Sequence, residues 1–323
     1  MRVFIIAVLI LSASLLDAEN LIDLYRFKGP DVVLKFLEKQ LTSENFWLKR
    51  LKNKDVKWGY YESNKNVLVC VKSKKLLKIY KNVKNSFDLI DSVNVLTGLD
   101  GDKREEGDLR TPVGVYRLKT VLDKVDDFYG PFAFVTEYPN MLDRINHKNG
   151  HGIWIHGVPI NGKRNSNNTK GCIVMDNEML KNLKKEIDYK NTYLLISENA
   201  PLTATKNEIA SILAFIYKWR KAWQSNNFDA YKKFYDSTFK KADGKDLKSF
   251  LDYKKRVFAN KKYQKVEIYF SNINIVPYQN IEHQKIFRIN MFEKYLSKTY
   301  KYSGPKEVYV KFTNHGLKII AEK

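Results

Sequence analysis

The chain has 323 residues, of which 44% are hydrophobic and 13% are aromatic, and 57 Lys and Arg stand against 36 Asp and Glu. This length accommodates two domains, and the apolar content excludes an intrinsically disordered protein. The net charge of +21 suits an acidic polymer or an anionic surface as partner. Because the lysines are spread along the chain and no nucleic-acid-binding motif accompanies them, we expect no nucleic acid partner.

Residues 1–18 have the pattern of a secretory signal peptide. Arg2 precedes an apolar run over residues 3–16, and Ala18 offers a small residue before the cleavage position. The run is too short for a comfortable membrane span, although an uncleaved N-terminal anchor is the alternative. In either case the pattern predicts that the chain is exported.

Residues 19–65 are predicted to be a short helical segment. Pro30 and Asp31 open an apolar repeat at helical spacing that continues to Leu41, and a second apolar cluster follows at 46–51. Such a segment is too small to fold by itself. We therefore expect it to dock on the β domain that follows, or on a second copy of the chain.

Residues 66–199 carry many short strand patterns and few helical ones, which predicts a mainly β domain. Residues 67–71 and 76–80 form a predicted hairpin, and residues 110–118 combine a turn with a strand. The remaining predicted elements of this domain are strands at 91–96, 132–135, 152–156 and 191–196 and a helix at 177–187.

Residues 200–323 are predicted to form a second, α+β domain. Residues 200–203 read as a linker, and Thr205 with Glu208 fits a capping box in front of an amphipathic helix. Further predicted elements are helices at 231–239 and 247–258 and strands at 266–275, 285–291, 308–312 and 316–320. Helices followed by a run of strands are typical of an α+β fold.

Two residues of the β domain have the chemistry of a cysteine nucleophile and its base. His156 ends a strand on which Trp154 shares its face, and Cys172 follows Gly171, 16 positions further along. A thiol needs a base nearby to become a nucleophile at neutral pH. Spacing and local context alone leave catalysis and a purely structural role for this pair equally open.

A cluster of histidines and aspartates offers a metal site as an alternative. The candidate ligands are His147, His151, His156, Asp143 and Asp176. Their spacings match no zinc signature, so we expect no metal.

Other kinds of site have little support. An exported chain permits a disulfide between Cys70 and Cys172, but the apolar run around Cys70 predicts a buried strand residue. The sequence has no G-x-S-x-G elbow and no glycine-rich phosphate loop, which argues against a serine hydrolase and a nucleotide-binding protein.

Four motifs occur in order along the β domain. They are residues 106–116 (EGDLRTPVGVY), 129–131 (YGP) with 138–140 (YPN), 152–157 (GIWIHG) and 169–172 (TKGC). Together they resemble the YkuD-type L,D-transpeptidase family, and in particular its YafK-like branch, whose signature is histidine-glycine followed by Ser/Thr-x-Gly-Cys. The resemblance covers residues 66–197.

The resemblance implies a role for each residue of the signature. Cys172 would be the nucleophile, His156 its base and later the acid, and the carbonyl group of Gly157 would orient the imidazole. The amides of Gly171 and Cys172 would bind the oxyanion. Further candidates for substrate binding, chosen by charge and position, are Arg110, Trp154, Arg164, Thr169 and Lys170.

The second domain resembles the cone-shaped fold of nuclear transport factor 2 (NTF2). The two domains together look like the cell-shape-determining L,D-carboxypeptidases of helical Gram-negative bacteria. We therefore predict an α+β protein with four parts: a signal peptide (1–18), a helical segment (19–65), a mainly β YkuD-type catalytic domain (66–199) and an NTF2-like α+β domain (200–323).

The resemblance implies a periplasmic enzyme without a cofactor that removes the terminal D-Ala from stem tetrapeptides of peptidoglycan through a cysteine acyl-enzyme. Many cross-linking members have Arg at the position of Val174 and His or Arg at that of Lys170. Because this chain differs from them at both positions, we expect water to accept the acyl group from the acyl-enzyme. The alternatives are L,D-transpeptidation, with 3–3 cross-linking or protein attachment, and a murein-binding scaffold without activity. We also expect a homodimer through the helical segment or the second domain.

Overall fold

Two β-sheets organise the structure, a computed structural model that describes residues 20–83, 86–162, 167–280 and 283–323. The predicted signal peptide and Arg164 lie outside these residues. Within the described ranges, no helix is both long and apolar enough to cross a membrane.

The N-terminal segment is helical, as the sequence predicts. It comprises α1 (residues 20–28), α2 (Pro30–Leu41), α3 (Glu44–Leu51) and a two-residue strand, β1 (Tyr60–Tyr61). Pro30 occupies the start of α2 and Asp31 its first turn, where a proline and an acidic residue favour a helix. Ser43 caps α3 by accepting a hydrogen bond from the backbone N–H of Phe46.

The first domain contains an eight-stranded mixed sheet with the order β4-β3-β2-β9-β5-β6-β7-β8. Its strands are β2 (Lys65–Val71), β3 (Leu76–Val83), β4 (Ser86–Asn94), β5 (Gly114–Leu122), β6 (Ala133–Thr136), β7 (Trp154–His156), β8 (Ile173–Val174) and β9 (Thr192–Ser197). Its helices are α4 (Met141–Ile145) and α5 (Asn177–Glu186). The predicted hairpin is confirmed by the antiparallel β2–β3 pair, and α5 confirms the predicted helix.

Each face of this sheet packs against a different neighbour. Tyr116 and Leu194 belong to a core that includes Leu180 of α5. Val115 and Tyr193, the residues next to them in β5 and β9, point the other way and contact Val276 of the second domain. The sheet is therefore enclosed between its own helix and the second domain.

The second domain contains a six-stranded sheet with the order β1-β11-β12-β13-β14-β10. Its helices are α6 (Lys206–Gln224), α7 (Phe228–Lys232) and α8 (Leu247–Asn260). Its strands are β10 (Tyr235–Lys241), β11 (Glu267–Gln279), β12 (Lys285–Leu296), β13 (Lys301–Thr313) and β14 (Gly316–Glu322). The predicted capping box is present at Thr205 and Glu208, and the apolar stripe of α6 is buried.

The predicted helix over residues 231–239 is wrong. Only its start belongs to α7, and β10 occupies the rest and pairs in parallel with β14. The buried aromatic residues Tyr235 and Phe239 are four positions apart, a spacing that places two side chains on one face of either a helix or a strand. Pairing with a distant strand decides between the two.

The expected docking of the N-terminal segment on the β domain is confirmed only at the end of the segment, where the rings of Trp58 and Tyr61 pack against that domain. Trp47, Leu51 and Tyr60 are buried in the core of the second domain, where Trp47 stacks on Tyr217 of α6. β1 extends the second sheet by pairing antiparallel with β11 at Ile275. The segment joins the second domain because its apolar residues complete that core.

Candidate active site

The pairing of β7 with β8 brings the predicted nucleophile and base to one face of the sheet. These strands are parallel, and Ile155 pairs with Ile173. Both isoleucines are completely buried and point into the core of the first domain. Because side chains alternate along a strand, His156 points to the opposite face, and the same alternation places Cys172, the residue directly before β8, on that face.

The His156 imidazole is almost fully buried and oriented by the backbone. Its Nδ1 atom lies 2.8 Å from the carbonyl oxygen of Gly157, and 2% of the residue is exposed. A carbonyl oxygen only accepts, so the N–H is assigned to Nδ1. The other ring nitrogen, Nε2, then carries the lone pair that a general base needs.

The two cysteines have different environments and are not joined by a disulfide. Cys172 is partly exposed, and its thiol donates to the carbonyl oxygen of Gly152 at 3.4 Å. Cys70 is completely buried in β2, and burial raises the pKa of its thiol to about 12. Cys70 is thus an unreactive core residue, as the sequence predicts.

Gly157 has no room for a side chain. A Cβ atom at this position would lie 1.9 Å from Asn177 Oδ1 and 3.1 Å from Pro131 Cδ. The Gly157 N–H donates to the carbonyl oxygen of Tyr129 at 3.0 Å, and the N–H of Met175 donates to the carbonyl oxygen of His156 at 3.1 Å. These contacts hold the carbonyl group that orients the imidazole.

Thr169 shapes the loop that presents the cysteine. Its hydroxyl accepts a hydrogen bond from Gly171 N at 3.0 Å and donates to the Cys172 carbonyl oxygen at 2.6 Å. Only 5% of Thr169 is exposed, which favours a role in positioning the loop, and its contact with substrate stays a prediction.

Gly171 is required for a conformational reason. Its φ angle is +117°, which disfavours residues with a side chain, and a Cβ atom would lie 2.8 Å from the Arg110 carbonyl oxygen. The Gly171 amide already donates to Thr169, so its predicted role as an oxyanion donor does not fit the structure. The amide of Cys172 keeps that role as a prediction.

An aromatic wall covers His156, and one of its members, Tyr129, has no role assigned from the sequence. The ring of Tyr129 packs edge-on against the imidazole, with centroids 5.0 Å apart, and lies 5.1 Å from the ring of Trp154. Tyr129 is the last residue of a single 3-10 turn capped by Asp126, whose side chain accepts from Phe128 N. The Y-G-P motif at residues 129–131 is the sequence feature from which Tyr129 could have been included in the predicted site.

The remaining predicted substrate-binding residues lie at the surface. Arg110 and Lys170 are exposed, and Trp154 is partly buried. The Arg110 backbone N–H donates to Asp108 at 3.1 Å, and its carbonyl oxygen packs against Gly171. The backbone of Arg110 is therefore next to the cysteine loop, and contact of its side chain with substrate stays a prediction.

Buried ion pairs hold the polar loop that leads to Arg110. Lys148 lies 2.5 Å from Asp102 and 3.1 Å from Asp143, and Lys103 lies 2.7 Å from Asp108. Burial lowers the pKa of Lys148, but the two carboxylates outweigh it, so the pKa is raised. These ion pairs cross-link the loop to the residues at and after α4.

The aspartates of the metal alternative have structural partners. Asp143 forms a capping box with Asn140, and Asp176 caps α5 by accepting from Glu178 N at 2.8 Å. Among the residues that the structure describes, no group of three or more His, Cys, Asp and Glu side chains is arranged to hold a metal ion.

Comparison with known proteins supports the assignment of both domains. Residues 65–196 match the L,D-transpeptidase catalytic domain family, YkuD, and residues 211–323 match the Cds6 C-terminal NTF2-like domain family. None of the curated proteins compared with the chain matches it.

Solved structures extend this similarity to nearly the whole chain. The chain is 37% identical to a point mutant of the helical cell shape determining protein Pgp2 from Campylobacter jejuni, with a TM-score of 0.84 over 88% of this chain and 99% of that one. The Pgp2 structure without the mutation gives 37% identity and a TM-score of 0.82 over 87% and 99% of the two chains.

A third structure, Bd1075 from Bdellovibrio bacteriovorus, is 24% identical with a TM-score of 0.66 over 83% of this chain and 96% of that one, which shows a shared fold. The predicted resemblance and the predicted α+β architecture are confirmed. The chain belongs to the YkuD-type L,D-transpeptidase family and carries an NTF2-like C-terminal domain.

Proposed function

We propose that the protein is a cysteine-dependent L,D-carboxypeptidase that removes the terminal D-Ala from tetrapeptide stems of peptidoglycan and thereby influences cell shape. The observation that carries this proposal is the shared face of His156 and Cys172, with the imidazole oriented by the carbonyl group of Gly157. The YkuD match and the similarity to a helical cell shape determining protein support peptidoglycan as the substrate.

In the acylation step, His156 Nε2 removes the proton of the Cys172 thiol. The thiolate attacks the carbonyl carbon of the peptide bond between meso-diaminopimelate and D-Ala, and the oxyanion that forms accepts a hydrogen bond from the Cys172 amide. The C–N bond then breaks, and the imidazolium gives its proton to the leaving amine of D-Ala. The products are free D-Ala and a thioester on Cys172.

In the second step, the neutral His156 removes a proton from water, and the hydroxide attacks the thioester carbonyl. The C–S bond breaks, and the imidazolium returns its proton to the Cys172 sulfur, which leaves a tripeptide stem. Val174 occupies the position where cross-linking relatives have Arg; it is 1% exposed and exchanges backbone hydrogen bonds with Leu96. This position therefore offers no positive charge that could bind the stem peptide of a second strand. The absence of that charge favours water as the acceptor of the acyl group.

The direct test is incubation of the mature protein with purified disaccharide-tetrapeptide, followed by mass spectrometry. We expect the loss of one D-Ala and no dimers for the wild type and for Cys70→Ala, the matched control, and no reaction for Cys172→Ala. New dimers would instead identify a transpeptidase. An unchanged substrate, or a Cys172→Ala variant as active as the wild type, would disprove the proposal.

We also propose that the protein acts in the periplasm. The apolar run at residues 3–16 and Ala18 support this location. Cell fractionation of the full chain should place it in the periplasm, and deletion of residues 2–18 should keep it in the cytoplasm. Equal distribution of both forms would contradict the proposal.

A second copy of the chain is our proposed partner for α1 and α2. Large apolar side chains are exposed on both helices, and no residue of α2 is buried. The most exposed are Phe27, Leu34, Ile22 and Tyr25. A twofold contact would cover the same face on both copies. Sedimentation equilibrium should show a dimer that Leu34→Glu dissociates, and a monomeric wild type would refute the contact.

A further inference from the structure

A cavity of about 420 Å³ lies in the second domain, between α8 and the sheet. Every residue that lines it belongs to this domain, so the cavity is separate from the candidate active site. Its charged lining residues are Lys254, Lys261, Glu293, Lys306 and Lys323, and its remaining titratable ones are Tyr253, Tyr295, Tyr300 and Tyr302. We call this space the lysine cavity.

Lys254 of α8 reaches the lysine cavity without a hydrogen-bonding partner. Its Nζ atom lies 4.4 Å from the centroid of the Trp223 ring, 5.4 Å from that of Phe250 and 5.6 Å from that of Tyr231. It donates no hydrogen bond to, and forms no ion pair with, any residue that the structure describes. An amine in this setting can react with a small molecule that enters the cavity.

The surroundings of Lys254 disfavour its charged form. Burial lowers the pKa of Lys254 from its ordinary value of 10.5 to about 8. Lys306 and Lys241 add to this shift by repelling its positive charge, whereas Glu322 and Glu293 oppose it without cancelling the effect of burial. At pH 7 roughly a tenth of the amine is therefore uncharged, and the uncharged amine is the nucleophile.

Two further lysines converge on the rings beside this amine. Lys306 Nζ lies 5.5 Å from the centroid of the Trp223 ring, and Lys261 Nζ lies 4.6 Å from that of Tyr295, which is 5.6 Å from Trp223. Lys306 is paired with Glu322 at 2.6 Å, whereas Lys261 donates to the hydroxyl of Tyr295 and forms no ion pair with the described residues. An anion formed beside these rings would therefore be stabilised.

A reaction that turns the amine of Lys254 into an anion fits the charges of the lysine cavity. Carbon dioxide is small and uncharged, so it enters the cavity without the cost of removing a charge from water. Its adduct with an amine, a carbamate, is negatively charged and accepts hydrogen bonds from lysine. Simple acylation would remove the charge of Lys254 but leave Lys261 without an anion to bind.

We propose that Lys254 is a modification site that binds carbon dioxide covalently as a carbamate. The lone pair of Nζ attacks the carbon atom of CO₂, one C–O π bond opens onto oxygen, and the nitrogen releases one proton to water. No oxidant or reductant is needed. The carbamate replaces a positive charge by a negative one beside Lys261 and Lys306. The inference goes beyond the proposed function and does not depend on catalysis at Cys172.

Chemical trapping tests the proposal on the unaltered protein. The full chain is equilibrated at pH 8 with ¹³C-bicarbonate and treated with triethyloxonium, which converts a carbamate into a stable ethyl ester that peptide mapping by mass spectrometry locates. We expect about tenfold or more label at Lys254 than at the exposed Lys262, because the lowered pKa of Lys254 leaves more of it uncharged. Label absent from Lys254, or equal at the two lysines, would overturn the inference.

Carbon-13 NMR of the labelled protein supplies the matched comparison. Lys254→Arg keeps the positive charge but has no amine that becomes uncharged, so one carbamate signal should disappear, whereas Lys262→Arg should retain it. At constant dissolved CO₂ this signal should grow from pH 7 to pH 9, because only the uncharged amine reacts. A signal that persists in Lys254→Arg, or that does not change with pH, would contradict the assignment, and circular dichroism confirms that the variants fold.

Discussion

The Nδ1 atom of His156 lies 2.8 Å from the carbonyl oxygen of Gly157, the next residue in the chain. The base and the group that orients it therefore come from one dipeptide. In a serine protease triad an aspartate side chain orients the histidine, and substitution of the aspartate tests its role. A backbone carbonyl cannot be removed in this way, so the contacts that hold Gly157 must be tested instead.

Gly157→Ala should move this carbonyl group. The new Cβ atom would lie 1.9 Å from Asn177 Oδ1, which is closer than any two such atoms can approach. A displacement of about 1 Å at a catalytic group costs roughly 100-fold in rate, so we expect a loss of D-Ala release of that order. The measurement is kcat on disaccharide-tetrapeptide, with circular dichroism to confirm folding.

The same steric argument predicts a rescue. Asn177 Oδ1 is buried and has no hydrogen-bond partner among the described residues, so truncating this side chain sacrifices no hydrogen bond at that atom. Gly157→Ala combined with Asn177→Ala should recover at least tenfold of the lost rate, a coupling of about 1.4 kcal/mol. Additive losses in the double variant would refute the steric account.

The two cysteines should differ in reactivity. Cys172 is partly exposed, whereas Cys70 is completely buried with its pKa raised to about 12 by burial. Iodoacetamide at pH 7 should add one carbamidomethyl group, at Cys172, and intact-mass spectrometry with peptide mapping shows where it is.

His156→Ala should slow this alkylation by roughly 100-fold, since a positioned base contributes at least that much to proton transfer. His151→Ala is the matched control, because it removes an exposed histidine whose one ion-pair contact among the described residues is with the exposed Glu106, at 4.0 Å. Alkylation that is as fast in His156→Ala as in the control would contradict the assignment of the base.

Thr169 is expected to position the loop and not to bind substrate. Thr169→Val removes the acceptor for Gly171 N and the donor to the Cys172 carbonyl oxygen, which should destabilise the protein by about 1–3 kcal/mol. We expect kcat to fall with little change in KM, and Thr169→Ser to restore it because the hydroxyl returns. An increase in KM with kcat unchanged would instead show that Thr169 contacts the substrate.

Sequence reasoning succeeds where the determinants are local. Thr205 and Glu208 are three positions apart, and the reciprocal hydrogen bonds of a capping box need only that spacing. Cys70 could be predicted as a buried strand residue because its apolar run is continuous. The contacts of Thr169 with Gly171 and Cys172 are equally local, but the motif alone does not say whether its hydroxyl points to the loop or to the cleft.

Features that join distant parts of the chain could not be predicted. Tyr60 pairs with Ile275, and no local pattern near a two-residue strand identifies its partner. Phe239 fits a helix and a strand equally well until its neighbour is known. The hydrogen bond from Tyr193 to Asn290 likewise joins two residues that come together only when the domains pack. Sequence patterns report periodicity, and these features depend on tertiary pairing.

A buried charge network joins the domains and underlies the last prediction. Arg288 is fully buried; it lies 2.8 Å from Glu137 and 3.1 Å from Glu307, and it donates to the Val115 carbonyl oxygen at 2.8 Å. Arg117 lies 2.7 Å from Glu137. Burial raises the pKa of Glu137, but the two arginines outweigh it and hold the pKa at about 2.

A folded-state pKa of about 2, below the ordinary value of 4.5, means that the carboxylate of Glu137 stabilises the native state above pH 4.5. This contribution should decrease as the pH falls from 4.5 towards 2. Glu137→Gln should therefore be less stable than the wild type by about 3 kcal/mol at pH 7, and the difference should shrink in that window. Calorimetry from pH 2 to 7 measures it, with Glu178→Gln at the exposed Lys181 pair as the control. A constant difference at all pH values would show that Glu137 contributes through packing and not through its charge.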